Sequence, residues 1–267
     1  MFRILSLDGG GILGTFTASA LASIEEDTGR PIAAHFDLIT GTSTGGILAI
    51  GLAFGLSPKE LLDFYITRGP AIFPAIGRMA RIRGFVRQLF GTKFSHEPLT
   101  IALKDVLGDR RFGDASQRPV IPSYNAISGT IYLFKTPHRP HLIQDASVPA
   151  FEVARPTSAA PAYFAAARPD ALFGAQFVDG GVWANNPALV GLVEAAAFLD
   201  QAPADVDILS IGTTSAPFSI AEHASSGALS WNAGLIALMM NAQGESHRAM
   251  ASLLAGGLHQ IDHVARP

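Results

Sequence analysis

One serine in this sequence lies in a setting that could make it a nucleophile. Ser43 is the centre of a Gly-x-Ser-x-Gly pattern, residues 41–45, whose small neighbours allow a sharp turn and leave the hydroxyl accessible. A segment of strand character, residues 36–40, precedes the pattern, and an apolar helical run follows it. This order is typical of the nucleophile elbow of serine hydrolases, whereas the bare pattern often occurs by chance. The alternative is an ordinary glycine-rich turn between a strand and a helix.

A run of three glycines at residues 9–11 is the candidate anion site. It follows an apolar strand-like segment, residues 2–7, and opens a helix. Consecutive glycines at a helix start present unhindered N–H groups to a phosphate or to the oxyanion of a tetrahedral intermediate. The loop also fits the dinucleotide pattern G-x-G-x-x-G, which requires an acidic residue at the end of the second strand. Because Asp37 lies at the beginning of that strand, a dinucleotide site is the weaker alternative.

Asp179 is the candidate partner of Ser43. It follows Phe177 and Val178 in the short strand-like segment 176–179 and precedes Gly180 and Gly181, so we expect it at the end of a strand. Sites in α/β sheets form at the carboxyl ends of strands, where a carboxylate can reach a hydroxyl across the crevice. The two glycines keep that approach open. The alternative is an Asp-Gly turn stabilised by the aspartate side chain.

Histidine chemistry is the main alternative to a serine-aspartate pair. His247, His259 and His263 follow the elbow in the chain order of an α/β-hydrolase triad. In that fold several strand-helix units precede the elbow, whereas only one does here, so the triad is disfavoured. Zinc is disfavoured too. Between His259 and His263, aspartate stands where the zinc motif needs glutamate. Prolines interrupt the pair His138 and His141.

Composition narrows the remaining chemistry. The 267 residues include no cysteine, which excludes a thiol nucleophile, a disulfide framework and a zinc-thiolate site. The formal net charge of −3 argues against a partner that is a nucleic-acid polymer. Apolar residues make up 48% of the chain, which is typical of a globular protein. The first residues lack the features of a signal peptide, so we expect a cytoplasmic location.

Strands alternate with helices along the chain, which predicts an α/β sheet covered on both faces. No linker-like break interrupts residues 1–267, so we expect a single domain. Ser57, Pro58 and Glu60 form the capping pattern of a helix that continues to about residue 66. We expect strands at residues 2–7, 36–40, 120–126, 130–135, 176–179 and 206–211, and helices that end near residues 29, 54, 66, 107 and 199.

Together these motifs resemble those of the patatin-like phospholipase family. The matching segments run in family order between residue 1 and about residue 215, at 8–11, 41–45, 154–164 and 179–181. The resemblance implies a three-layer α/β/α patatin-like fold with a mostly parallel central sheet. It also implies a Ser-Asp dyad without histidine, in which Ser43 is the nucleophile and Asp179 the general base. The oxyanion hole would be formed by Gly9, Gly10 and Gly11.

The same resemblance implies a lipid substrate. The implied reaction is hydrolysis of phospholipid or lysophospholipid esters with neither a metal nor a cofactor. Leu13 departs from the family, which often has lysine or arginine at that position. If that charge helps to hold a lipid phosphate, leucine leaves the headgroup preference open, while the acyl chemistry is unaffected.

A segment at about residues 70–96 combines basic and apolar residues. No Asp or Glu occurs between residues 64 and 96, and apolar residues recur there at roughly helical spacing. This pattern favours a cap that contacts anionic headgroups at the inner face of the membrane. A packed cap with a solvated basic side is the alternative. The basic residues are Arg68, Arg78, Arg81, Arg83, Arg87 and Lys93.

Two classes of function remain open, with a third as a minor alternative. The first is a constitutive lipid acyl hydrolase. The second is an effector that a small anionic regulator, such as a cyclic dinucleotide, switches on, since the chain is similar to bacterial anti-phage phospholipases of that type. The minor alternative is a nucleotide-binding module without catalysis.

Overall fold

The computed structural model describes residues 1–72, 95, 97–161, 163–213 and 228–262, and for residues 228–237 it describes the helical backbone alone. Most of the basic cap segment predicted at about 70–96 lies outside the described residues, as does His263. In the described part of the chain, no helix is long and apolar enough to cross a membrane.

The described residues form seven strands and eight α-helices. The strands are β1 (Phe2–Leu7), β2 (Leu38–Gly41), β3 (Pro119–Asn125), β4 (Thr130–Lys135), β5 (Phe177–Asp179), β6 (Val206–Ile211) and β7 (Gly257–Ile261). The helices are α1 (Gly14–Thr28), α2 (Thr44–Ala53), α3 (Pro58–Ile72), α4 (Glu97–Leu107), α5 (Ala150–Thr157), α6 (Gly181–Ala184), α7 (Ala188–Phe198) and α8 (Ala228–Leu254).

The strands form one mostly parallel sheet in the order β4-β3-β2-β1-β6-β7. Leu7 at the end of β1 is in register with Gly41 on one side and with Ile211 on the other. The carboxyl ends of β1, β2 and β6 therefore meet at the same edge of the sheet. Both glycine-rich turns predicted from the sequence, at 9–11 and 41–45, leave the sheet at that edge.

Strand β5 lies off this path and brings Asp179 to the same edge of the sheet. It pairs antiparallel with β3, with Ser123 opposite Asp179. Strand β4 occupies one side of β3 along residues 120–125, so β5 must lie on the other side, where β2 pairs with residues 119 and 120. β5 therefore pairs with the part of β3 that lies beyond the end of β2. It runs in the direction opposite to β2, so the carboxyl ends of the two strands face each other.

Helices cover both faces of the sheet, which confirms the three-layer prediction. Leu5 and Leu7 of β1 pack into a core with α1, α2, α3, α4 and α5. Ile4 points to the opposite face and packs with α7 and with Ala251 of α8. This alternation follows from the period of two in a strand, and it buries both faces of a largely apolar parallel sheet.

The predicted elements agree with most of the structure, and the exceptions lie where tertiary contacts decide. The capping pattern is confirmed, because Glu60 accepts the Ser57 N–H at 2.8 Å and the Ser57 hydroxyl accepts the Glu60 N–H at 3.3 Å. Helix α3 extends to Ile72, past the predicted end near residue 66, and contains Pro70. Strand β7 and the helices α5, α6 and α8 were not predicted.

Candidate active site

Ser43 adopts a backbone conformation that L-residues rarely take. Its φ is 56° and its ψ is −123°, and Asp200 is the one other non-glycine residue with positive φ in the described part of the chain. Such a conformation costs about 1–3 kcal/mol and persists only when the surroundings enforce it. Ser43 lies immediately before α2 and its carbonyl accepts the Ile47 N–H at 3.1 Å. The strained turn predicted from the Gly-x-Ser-x-Gly pattern is therefore present.

The flanking glycines allow three chain segments to pack closely below the serine. A Cβ atom on Gly41 would lie 2.1 Å from the Gly45 carbonyl oxygen. A Cβ atom on Gly45 would lie 2.2 Å from the carbonyl oxygen of Leu7, at the end of β1. A side chain at Gly41 would push β2 away from the start of α2, and a side chain at Gly45 would separate the elbow from β1.

Thr157 holds the strained serine from the other side. Its hydroxyl accepts the Ser43 N–H at 2.9 Å and donates to the Pro122 carbonyl at 3.0 Å. Thr157 ends helix α5 and is fully buried, so water cannot replace it. It belongs to the third matching segment, 154–164, but its role was not predicted, because Ser43 lies 114 positions away along the chain.

Replacing Thr157 by valine is expected to lower kcat about 10- to 100-fold. The similarly shaped side chain leaves the Ser43 N–H and the Pro122 carbonyl unpaired, and small displacements of a nucleophile reduce turnover strongly. Thr157→Ser keeps the hydroxyl and should stay within about threefold of wild type. Kinetics on a soluble ester, with thermal unfolding in parallel, check this. A valine variant with lowered Tm but unchanged kcat would restrict the hydroxyl to a purely structural role.

Asp179 is buried and faces Ser43. Its side chain is 2% exposed, and its backbone N–H donates to the Ala159 carbonyl at 3.0 Å. One carboxylate oxygen accepts the Gly181 N–H at 2.8 Å, and the Ser43 side chain lies close enough to the carboxylate to affect its pKa. Burial raises the pKa of Asp179 to about 7, against the smaller opposing effects of the Gly181 amide and the Ser43 hydroxyl. At neutral pH the carboxylate can therefore both accept and release a proton.

The glycine loop lies beside this pair, but not all of its amides are available. Gly9 donates its N–H to the Asn185 carbonyl at 3.0 Å. Of the three glycines predicted to form the oxyanion hole, Gly9, Gly10 and Gly11, Gly9 therefore has its amide bonded within the protein. The amides of Gly10 and Gly11 have no hydrogen-bond acceptor within the described ranges. Gly11 has a φ of +58°, which favours glycine.

Asn185 and Asn186 tie the glycine loop to the strands around it. The Asn186 side chain donates to Asp8 at 2.9 Å and to the Ser210 hydroxyl at 3.1 Å. Its side-chain oxygen accepts the Ala188 N–H at 3.1 Å at the start of α7. Burial raises the pKa of Asp8, while its hydrogen bond with Asn186 opposes that rise. These asparagines follow Asp179 in the sequence, and their connecting role was not predicted.

Three of the described histidines illustrate that histidine is not joined to Asp179. Burial lowers the pKa of His247, whose ring lies 6.5 Å from that of Trp183. His259 lies on β7, 3.1 Å from Asp207, and His138 contacts the buried Glu194 at 2.8 Å. Among the described residues, no hydrogen bond joins a histidine to the carboxylate of Asp179.

Comparison with known proteins gives a consistent result. The family model described as Patatin-like phospholipase matches residues 5–192. The chain is 38% identical to a "cGAMP-activated phospholipase" of Pseudomonas aeruginosa, over 100% of this chain and 79% of that protein. It is 37% identical to a protein of the same name from Vibrio cholerae, over 93% and 76%. "Patatin-like protein 2" of Oryza sativa subsp. indica is 33% identical over 74% of this chain and 54% of that protein.

Proposed function

The chain belongs to the patatin-like phospholipase family, and on that premise we propose that it cleaves phospholipid or lysophospholipid esters with a Ser43–Asp179 dyad. The observation that carries the proposal is the placement of the strained Ser43 beside the buried carboxylate of Asp179. The amides of Gly10 and Gly11, which follow the neighbouring strand β1, serve as the oxyanion donors in this proposal.

The reaction has two halves. Asp179 accepts the Ser43 proton while Oγ attacks the ester carbonyl carbon, and the resulting oxyanion is stabilised by the two glycine amides. The tetrahedral intermediate collapses to an acyl-serine, and the leaving alcohol takes the proton from Asp179. Water then attacks the acyl-serine and gives its proton to Asp179. Release of the fatty acid returns that proton to Ser43 and regenerates the enzyme.

We propose further that a cyclic dinucleotide regulates this activity. The support is the name "cGAMP-activated phospholipase" carried by relatives at 37–38% identity that match 93–100% of this chain. This favours the regulated effector over the constitutive hydrolase. A non-catalytic nucleotide-binding module is disfavoured, because a strained serine and a buried carboxylate lie side by side, as a nucleophile and its base require.

Peripheral contact with the inner face of the membrane belongs to the same proposal, because the substrate is a bilayer lipid. Of the basic residues predicted to mediate that contact, the described one is Arg68, which pairs with Asp105 at 3.0 Å on the surface. The others lie outside the described residues.

Addition of cGAMP to the purified protein is expected to raise fatty-acid release from phosphatidylcholine/phosphatidylglycerol vesicles at least about tenfold. A linear dinucleotide is the matched control ligand and should have no effect. The Ser43→Ala protein, purified in the same way, should release no fatty acid, which excludes a contaminating lipase as the source of the activity. Equal release with and without cGAMP would support the constitutive hydrolase, and no release under any condition would contradict the proposed activity.

A further inference from the structure

Phe173, in an anchored surface loop, has a fully exposed side chain. Phe173 lies in the loop of residues 168–176, between Ala167 and strand β5, and its side chain is entirely open to solvent. Its neighbour Leu172 packs against the main core, as does Ala175. Single exposed apolar residues are common, so Phe173 is informative only together with other apolar residues exposed at the same edge of the sheet.

The loop is anchored at its base. Ala167 and Phe177 exchange two backbone hydrogen bonds, of 2.7 and 2.8 Å. The Ala171 N–H donates at 3.2 Å to the buried carboxylate of Glu152 on α5. Gly174 has a φ of +75°, which turns the chain back toward β5 after the phenylalanine. Phe173 therefore projects from a fixed support.

Strand register places the base of this loop farther out than the catalytic pair. Gln176 precedes Asp179 by three residues, which corresponds to about 10 Å along a strand. The loop is therefore farther out than Asp179 at the edge where β2 ends. The turn between β3 and β4 lies next to it, because the Ala126 N–H donates to the Gln176 carbonyl at 2.7 Å. Ile127 in that turn is 62% exposed.

A second pair of exposed apolar residues lies on the opposite side of the serine. Ile12 and Leu13 follow the glycine loop at the end of β1, and each is 41% exposed. In the sheet, β2 lies between β3 and β1, so the turn that carries Ser43 lies between the two apolar groups.

We propose that Ile12, Leu13, Ile127 and Phe173 form a docking rim that inserts into the interfacial layer of a phospholipid bilayer. This inference rests on the proposed function, which requires a lipid to reach Ser43 from a membrane. The bilayer is the favoured occupant, because these apolar side chains lie at the edge of the sheet from which a lipid must reach Ser43. The turn at 126–131 also carries no charge that would resist insertion. Amphipathic surfaces of this kind bury their apolar side chains about 5–10 Å into the interface.

The double variant Ile127→Ser/Phe173→Ser tests the rim without changing the glycine loop. In a Ser43→Ala background, which leaves vesicles intact, it is expected to bind phosphatidylcholine/phosphatidylglycerol vesicles at least about tenfold more weakly than Ser43→Ala alone. Leu253→Ser is the matched control. Leu253 is 84% exposed near the end of α8, just before β7 begins, and so lies at the opposite edge of the sheet. It should bind as the parent does.

Catalytic assays separate this proposal from the proposed function. With Ser43 present and cGAMP added, the double variant should lose vesicle hydrolysis in proportion to binding, while hydrolysis of a short soluble ester stays within about twofold. Unchanged vesicle binding by the double variant, or an equal loss of vesicle binding in Leu253→Ser, would contradict the proposed docking rim. A wild-type protein that fails to hydrolyse the soluble ester would contradict the dyad instead, whatever the vesicle binding shows.

Discussion

The Ser43→Ala variant is expected to lose ester hydrolysis almost completely, with kcat/KM falling more than about 1,000-fold. Removal of the nucleophile from a serine hydrolase eliminates the covalent route, and what remains is the small contribution of binding and oxyanion stabilisation. The loss should be the same on vesicles and on a soluble p-nitrophenyl ester, because both substrates need the same attack. Steady-state rates on both substrates, with cGAMP present, measure it.

Folding of this variant should be largely preserved. Alanine retains the Cβ atom, so the strained backbone at φ 56° is unchanged, and the hydroxyl fills little space. Ser252→Ala is the matched control, because Ser252 is an exposed serine on α8 whose hydroxyl donates to the Ala249 carbonyl. If Ser43→Ala retained more than a few per cent of wild-type activity with a normal Tm, Ser43 would not be the nucleophile.

The Asp179→Asn variant should reduce turnover by about 100- to 10,000-fold, the range typical of general-base loss. Asparagine is nearly isosteric and can still accept the Gly181 N–H, but it cannot take a proton from Ser43 at neutral pH. Asp109→Asn provides the control, because that carboxylate is 90% exposed and distant in sequence from every site motif. Rates should be compared at pH 8, where the wild-type base is ionised.

The pH profile adds an independent readout of the same residue. Burial raises the pKa of Asp179 to about 7, and the carboxylate acts as a base in its ionised form. As the pH falls through about 7, Asp179 becomes protonated and wild-type kcat/KM should decrease about tenfold per pH unit. The residual activity of Asp179→Asn should lack this transition. If His247→Ala removed the transition and Asp179→Asn kept it, a histidine would be the base.

The elements nearest to each motif could be predicted because local sequence determines them. The strand at Phe2–Leu7 was predicted at its observed bounds, and the capping pattern at Ser57 fixed the start of α3. The helix end was not predicted, because Gly69 and Pro70 indicate a stop. Burial of Ile72 in the core and the close fit of Gly69 against Ile12 accompany its continuation. Packing of this kind overrides local propensity.

The arrangement of the site depends on contacts between distant segments, which a single sequence does not reveal. Strand β5 has three residues, and nothing in them predicts that it pairs antiparallel with β3 in the position that β2 leaves vacant. That pairing is what brings Asp179 opposite Ser43. The hydrogen bond from the Gly9 amide to the Asn185 carbonyl could not be predicted for the same reason, because the two residues are far apart in the chain. Residue types predicted the chemistry, whereas only the topology gives the geometry.

Labelling by a fluorophosphonate probe, followed by peptide mass spectrometry, tests the dyad most directly. The probe forms a stable adduct only with an activated serine, so it reports on Ser43 and its base at the same time. We expect one modified peptide containing residues 41–45, absent from Ser43→Ala and formed at least about 100-fold more slowly in Asp179→Asn. An adduct on another serine, or an unchanged labelling rate in Asp179→Asn, would contradict the Ser43–Asp179 dyad.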